Sequence, residues 1–100
     1  MIVVAGTIVI DPANNERLSS LLATLVPATL AEEGNTTYGF WPSPSDAGAW
    51  HVFEEWKDED ALNSHFATPH MAEFMTGIGQ LKISDMDLSK YAVSEKAPLF

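Results

Sequence analysis

The chain has 100 residues, of which 46% are hydrophobic and 19% are charged, as is typical of one globular domain with a single core. Its 14 acidic and 5 basic residues give a formal net charge of -9, which argues against nucleic acids and anionic membranes as partners, because both are bound through clusters of lysine and arginine. The absence of cysteine excludes disulfides, thiolate metal sites and cysteine nucleophiles.

The first ten residues, "MIVVAGTIVI", are apolar but lack the basic start of a secretion signal and are too short to cross a bilayer. Valine and isoleucine fall on both faces from Ile2 to Ile10, a pattern that favours a central strand covered on both sides. We therefore expect a cytoplasmic protein that begins with a β-strand.

A helix is predicted over residues 13–33, because leucines recur there at helical spacing. Asp11 can cap this helix with Pro12 in its first turn. Pro27 should kink or split it, and Gly34 should end it.

The remaining segments alternate between strand, loop and helix patterns. "NTTYGFW" reads as a second strand with Tyr38 and Phe40 on one face, and a turn-rich loop follows it. The other predicted elements are a third strand at Trp50–Trp56, two short helices at 59–66 and 69–79, and a last strand at 81–93 with a bulge near 85–88.

The resulting order, β-α-β-β-α-β, predicts an α+β, ferredoxin-like antiparallel sheet in a single domain over residues 1–100, with a C-terminal tail from about residue 94. Both helical layers should pack on one face of the sheet. Because the other face also carries aromatic residues, a second copy of the chain is expected to cover it, which gives a homodimer.

Glu54 is the most unusual residue of the third strand, because alternation places it on the same face as Trp50 and Trp56. It could point to solvent or pair with Lys57 or Lys82. Alternatively, it is a desolvated carboxylate in a pocket, where it orients a histidine or a substrate hydroxyl.

His65 and His70 lie on either side of the Thr68-Pro69 helix break. Each could be an ordinary packed or surface residue, or a general base that takes a proton from a phenol-like hydroxyl. No three-ligand spacing typical of a metal site is visible, so no metal is predicted. His51 is expected to be structural.

Several aromatic and apolar residues could be either core or pocket wall. Tyr38, Trp50 and Trp56 could pack the core or stack on a flat aromatic ligand, and Met71 and Phe74 could line the same pocket. Since the chain has neither a glycine-rich phosphate loop nor a nucleotide fingerprint, no bound organic cofactor is expected.

Two segments, "VPATLAEEGNTTYGF" and "FEEWKDEDALNSHFATPHMAEF", resemble the antibiotic biosynthesis monooxygenase (ABM) domain family, and most closely its small quinol monooxygenase branch. The resemblance covers nearly the whole chain and is most specific from the third strand to His70. The positions that carry it are Glu33-Gly34, Tyr38, Glu54-x-Trp56, His65 and Thr68-Pro69-His70.

The resemblance implies a dimeric α+β barrel that oxidises an electron-rich hydroquinone or polycyclic phenol with O2, without a cofactor. It also implies that His65 or His70 is the base, that Glu54 orients it, and that Trp56 and Tyr38 wall the pocket.

Other activities of the family fit less well. The first strand lacks the asparagine of the haem-degrading branch, and the scarcity of basic residues disfavours a phosphorylated substrate. An isomerase using the same pocket and a non-catalytic binding or stress-response module for small aromatic ligands stay open as alternatives.

Overall fold

A four-stranded antiparallel sheet forms the frame of the protein, and a computed structural model describes all 100 residues of the chain. The strands are β1 (Ile2–Ile10), β2 (Asn35–Pro42), β3 (Ala49–Trp56) and β4 (Ile83–Ala92), and the helices are α1 (Asn15–Leu30), α2 (Glu59–Phe66) and α3 (Pro69–Ile78). The strand order is β2-β3-β1-β4, with every neighbouring pair antiparallel. This confirms the predicted α+β, ferredoxin-like fold.

Helix α1 begins as the sequence predicts, but it ends earlier. The Asp11 carboxylate accepts a hydrogen bond from the Ala13 amide at 3.0 Å, and a 3-10 turn over Pro12–Asn14 leads into the helix. The helix continues through Pro27 to Leu30, so the predicted split is wrong. Pro27 lies in the last turn, so the one hydrogen bond that its missing amide hydrogen removes, to the Ala23 carbonyl, falls near the end of the helix.

A turn over residues 31–34 joins α1 to β2 and places Glu32 beside the helical layer. Gly34 ends this turn with φ of +87°, a left-handed conformation that favours glycine. The carbonyl of Gly34 then accepts a hydrogen bond from the Lys57 amide at 2.8 Å, which ties the turn to the end of β3.

The two faces of the sheet differ in their surroundings. On the inner face, Tyr38, Val52, Glu54 and Trp56 are buried beneath the helices. On the outer face, the β1 residues are only half-buried, because no element of the chain covers them. The prediction that β1 is covered on both sides is therefore wrong for the chain taken alone.

Strand β4 pairs only with β1 and forms an exposed edge of the sheet. The register between them shifts after the Val9–Asp85 pair, since Ile10 pairs with Ile83, and this leaves Ser84 without a partner residue. The predicted irregularity therefore exists, but it lies before Asp85 and not within 85–88.

The protein has no helix with the length and apolar character needed to cross a bilayer.

Candidate active site

An apolar cavity of about 420 Å³ lies between the inner face of the sheet and helices α2 and α3. Twelve of its 17 lining residues are hydrophobic, a composition that favours an apolar or aromatic ligand. Met71 and Phe74 of α3 form part of one wall, while Met86 and Leu88 of β4 form the wall opposite. The predicted pocket therefore lies inside one chain, between its sheet and its helices.

Glu54 lies at the wall of this cavity with its side chain pointing inward from β3. The indole Nε1 of Trp56 donates a hydrogen bond of 2.9 Å to its Oε1 atom. Burial raises the pKa of Glu54 from 4.5 to about 7, the hydrogen bond from Trp56 lowers it, and the negative charge of Glu32 raises it. Glu54 can therefore exist with or without its proton near neutral pH.

Tyr38 pairs with Glu54 across the β2–β3 ladder and is also part of the wall. Burial raises the pKa of the Tyr38 phenol above its ordinary value, and the Glu54 charge raises it further. The Tyr38 ring lies 5.4 Å from the His65 ring and 6.4 Å from the Trp56 ring, measured between centroids. Tyr38 therefore stays protonated, and its ring acts as a packing surface.

His65 and His70 converge on one carboxylate oxygen, and that oxygen belongs to Glu32. The Nδ1 atom of His65 lies 2.7 Å from Glu32 Oε2, and the Nε2 atom of His70 lies 2.8 Å from the same oxygen. His65 comes from the last turn of α2, while His70 comes from the first turn of α3. Glu32, and not Glu54 as predicted, therefore orients the histidines.

The short break between α2 and α3 sets this convergence. Thr68 caps α3 by accepting a hydrogen bond from the Met71 amide, and its hydroxyl donates to the His65 carbonyl at 2.7 Å. Pro69 occupies the first turn, where its missing amide hydrogen costs nothing. The break between the two helices thus allows the rings of His65 and His70 to contact the same oxygen of Glu32.

His65 is 1% exposed and lines the apolar cavity, whereas Glu32 does not. Because its Nδ1 faces Glu32, its Nε2 lies on the other side of the ring, and this buried nitrogen has no hydrogen-bond partner. With Nδ1–H donated to a carboxylate, the neutral ring keeps a lone pair on Nε2. The arrangement provides an oriented proton acceptor in dry surroundings.

The other predicted site residues occupy different places. Trp50 is buried in the core, where its Nε1 donates to Asn15 Oδ1 at 3.0 Å, and it does not line the cavity. Trp56 is also outside the cavity wall; it holds Glu54 and packs on the His65 ring at 4.8 Å between centroids. His51 is exposed on the outer face of the sheet.

Sequence reasoning missed Glu32. The resemblance drew attention to the Glu33-Gly34 pair, but the Glu33 side chain is 94% exposed and only pairs with Lys57 at 3.6 Å. The signal available in the sequence was the Glu32-Glu33 repeat just before Gly34, where one carboxylate of the turn points inward and its neighbour points outward.

Comparison with known proteins shows which family the chain is similar to. The family profile described as antibiotic biosynthesis monooxygenase matches residues 1–77. The chain is 30% identical to a Bacillus subtilis protein named "Putative monooxygenase YcnE" over 95 residues, which are 95% of this chain and 100% of that protein.

Solved structures with the same fold extend the comparison to the end of the chain. A crystal structure described as a "putative antibiotic biosynthesis monooxygenase" from Deinococcus radiodurans has a TM-score of 0.89 at 23% identity, over 100% of this chain and 99% of that one. The structure of Rv0793 from Mycobacterium tuberculosis has a TM-score of 0.85 at 25% identity, over 97% of this chain and 98% of that one.

Proposed function

The chain belongs to the antibiotic biosynthesis monooxygenase family, and from this premise we propose that it oxidises an electron-rich hydroquinone or polycyclic phenol with O2, without a bound organic cofactor. The size and apolar lining of the cavity support a flat aromatic substrate. The scattered basic residues of the chain argue against a phosphorylated one.

The observation that carries this proposal is the buried His65 ring, held by Glu32 on one side and unpartnered at Nε2 on the other. A base that removes a phenolic proton must lie within hydrogen-bond reach of the hydroxyl and keep a free lone pair. His65 belongs to the cavity lining and its Nε2 keeps the lone pair, but this nitrogen is fully buried, so we propose that neighbouring side chains shift when the substrate binds and let its hydroxyl reach Nε2, where Glu32 stabilises the imidazolium that forms.

The proposed reaction balances without any further reductant. His65 takes a hydroxyl proton, and the resulting electron-rich anion reduces O2, so that the substrate itself supplies the electrons. One oxygen atom forms a new carbon–oxygen bond, and the other leaves as water with the two hydrogens that the hydroquinone loses. The protein contributes the base, the orientation of the ring and a cavity that keeps water out.

Glu54 and Tyr38 are proposed to position the substrate. With a pKa of about 7, Glu54 can donate a hydrogen bond to a substrate oxygen when protonated and accept one when ionised. The Tyr38 ring forms part of the cavity wall and offers an apolar face to the substrate. Met71 and Phe74 supply apolar contacts to the ring of the substrate.

We also propose that two copies of the chain pair through the outer face of the sheet. Trp41, Phe53 and Tyr91 are 51%, 38% and 52% exposed there, in contrast to the buried aromatics of the inner face. A second sheet would bury these rings together with the half-buried residues of β1. Light scattering should give twice the chain mass, and a Phe53→Asp variant should shift toward the monomer; a wild-type monomer at all concentrations would exclude the pair.

The test of the oxygenase proposal is aerobic incubation with menadiol-like hydroquinones and anthrones. Wild-type protein should consume O2 faster than the uncatalysed background, without added flavin or metal. His65→Ala should abolish the excess, and His70→Ala should reduce it less, because the His65–Glu32 contact survives. His51→Ala is the matched control, since His51 lies on the outer face of the sheet and away from the cavity; with light scattering showing the same assembly as the wild type, it should also show the same O2 uptake.

Other outcomes point to the alternatives. Quenching of tryptophan fluorescence by a quinone, without O2 uptake, would favour a binding module. Conversion of a ligand without O2 uptake would favour an isomerase. A wild type without excess O2 uptake on the whole panel would refute the oxygenase proposal for these substrates.

A further inference from the structure

We propose that Glu32, His65 and His70 form a binding site for a first-row divalent metal ion such as Zn²⁺, which enters in place of the two hydrogen bonds that now join them. The sequence predicted no metal site, because the three residues follow no recognisable spacing. The fold brings them together from the turn after α1, the end of α2 and the start of α3. This proposal goes beyond the oxygenase and holds whether or not the chain is one.

The geometry of the donor atoms is close to that of a metal site. The Glu32 oxygen and the two histidine nitrogens all lie within 4.8 Å of one another. Two ligands around tetrahedral Zn²⁺, at bond lengths of about 2.0–2.1 Å, are about 3.3 Å apart. The two Glu32 contacts, at 2.7 and 2.8 Å, would therefore have to widen by about 0.5 Å, and the two histidine nitrogens, which lie within 4.8 Å of each other, would have to adopt the same spacing of about 3.3 Å.

The backbone that carries the ligands is held by secondary structure, whereas the His65 ring has no hydrogen bond at Nε2 of the kind that orients most histidine ligands. Each histidine is fixed by its helix, and the Thr68 hydroxyl bonds to the His65 carbonyl. Glu32 lies in a turn, and its side chain can move back without disturbing a helix or a strand. The three side chains are 1%, 13% and 20% exposed for His65, Glu32 and His70, so the site is shielded and yet open on one side.

An acidic groove gives a cation access to that open side. Glu32 is part of its lining together with Glu33, Asp58 and Asp60, while Lys57 is the one basic residue there. Such a groove concentrates cations from solution, and its width leaves room for water to complete the coordination shell. The acidic lining is an observation independent of the histidine geometry, and both point to a cation.

The ligand set selects the class of ion. Two imidazoles and one carboxylate suit Zn²⁺, Co²⁺ or Fe²⁺, whereas Mg²⁺ and Ca²⁺ prefer oxygen ligands alone. A metal on His65 Nδ1 would move the ring proton to Nε2, because a neutral imidazole carries one N–H. When a metal ion occupies Nδ1, Nε2 carries the ring proton and has no free lone pair. Metal binding should therefore inhibit any reaction that uses His65 as its base.

The experiment is a calorimetric titration of chelator-treated protein with Zn²⁺, together with visible spectroscopy of the Co²⁺ form. One ion per chain should bind at micromolar concentration or below, with the absorption of four-coordinate Co²⁺ and with no comparable binding of Mg²⁺. Glu32→Gln keeps the shape of the side chain but removes its charge, and it should weaken binding at least about 10-fold, as should His70→Ala. His51→Ala should leave binding unchanged.

The histidine NMR signals of the wild-type protein test whether Zn²⁺ binds at Glu32, His65 and His70, even if a variant does not fold. The chain has three histidines, and Zn²⁺ should shift the ring signals of His65 and His70 while those of His51 stay in place. The proposal is overturned if Zn²⁺ does not bind, if Mg²⁺ binds equally well, or if the His51 signals shift and the other two do not. It is also overturned if folded Glu32→Gln protein binds Zn²⁺ as tightly as the wild type.

Discussion

Two consecutive glutamates of β3 should respond to pH in opposite directions, because their side chains lie on opposite faces of the sheet. Burial raises the pKa of Glu54 from 4.5 to about 7. On the outer face, the hydrogen bond from Thr37 to Glu55, at 2.7 Å, lowers the pKa of Glu55, and Lys96 lowers it further. Replacing each glutamate by glutamine removes one titration and keeps the shape of the side chain.

The sign for Glu54 follows from proton linkage. Its folded-state pKa lies above the unfolded value, so the folded state holds more protons between pH 4.5 and about 7. The contribution of this proton to the free energy of unfolding is complete below pH 4.5 and is lost as the pH rises to about 7. At 1.4 kcal/mol per pH unit, the loss is about 3 kcal/mol. Glu54→Gln should therefore gain about 3 kcal/mol relative to the wild type between pH 4 and pH 8.

Glu55 has the opposite sign. Its folded-state pKa is lowered, so its contribution to stability is present above the unfolded value of 4.5 and is lost as the pH falls through the folded value. Glu55→Gln should therefore lose stability relative to the wild type as the pH rises through 4.5.

Urea unfolding of the wild type and both variants at pH values from about 3 to 8 measures these differences, since the Glu55 effect falls below pH 4.5 and the Glu54 effect above it, and all other titrating groups are common to the three proteins. Parallel curves for Glu54→Gln and the wild type would refute the burial of an ionisable carboxyl at this position. A Glu55→Gln curve that follows the Glu54→Gln curve would refute the assignment of the two residues to different faces.

Two further predictions concern close contacts of the sheet. Gly6→Ala should destabilise the fold by more than about 2 kcal/mol, because its φ is +154° and a Cβ atom there would lie 1.9 Å from the Asp87 carbonyl oxygen. Gly79→Ala is the matched control, since its Cβ would meet nothing closer than 3.5 Å, and thermal unfolding should show a change of less than about 1 kcal/mol; equal losses in both would contradict the clash. Trp56→Phe removes the hydrogen bond that lowers the pKa of Glu54, so a ¹³C NMR titration should place this pKa above about 7, and an unchanged or lower value would contradict the assigned bond.

The fold could be predicted from the sequence because its signals are local. Alternation along β2 and β3, leucines at helical spacing in α1, and the caps Asp11, Asp58 and Thr68 each act within a few residues. These signals also gave the element order, and with it the antiparallel sheet. Errors were confined to places where tertiary contacts set the outcome, such as the end of α1 and the unpaired Ser84.

The candidate site could be predicted only in part. His65, His70 and Glu54 stood out by residue type and position, but which carboxylate meets which histidine depends on how the turn after α1 packs against the neighbouring helices α2 and α3. Glu32 lies 33 residues from His65 and 38 from His70, and no periodicity connects them. Trp50 and Trp56 share an inward face with Glu54, yet the Trp50 indole donates to Asn15 and the Trp56 indole to Glu54, and both are buried in the core and do not line the cavity.

The cavity is built from two parts of the chain that carry different kinds of residue. The polar residues Glu54 and His65 come from β3 and α2, whereas β4 contributes the apolar side chains of Met86 and Leu88 to the opposite wall. Strand β4 is an edge strand, so its inward side chains can be replaced without breaking a second strand pairing. Replacements at Met86 and Leu88 would alter the shape of the cavity and leave the carboxylate and the imidazole in place, which makes this strand the natural unit for redesigning what the protein accommodates.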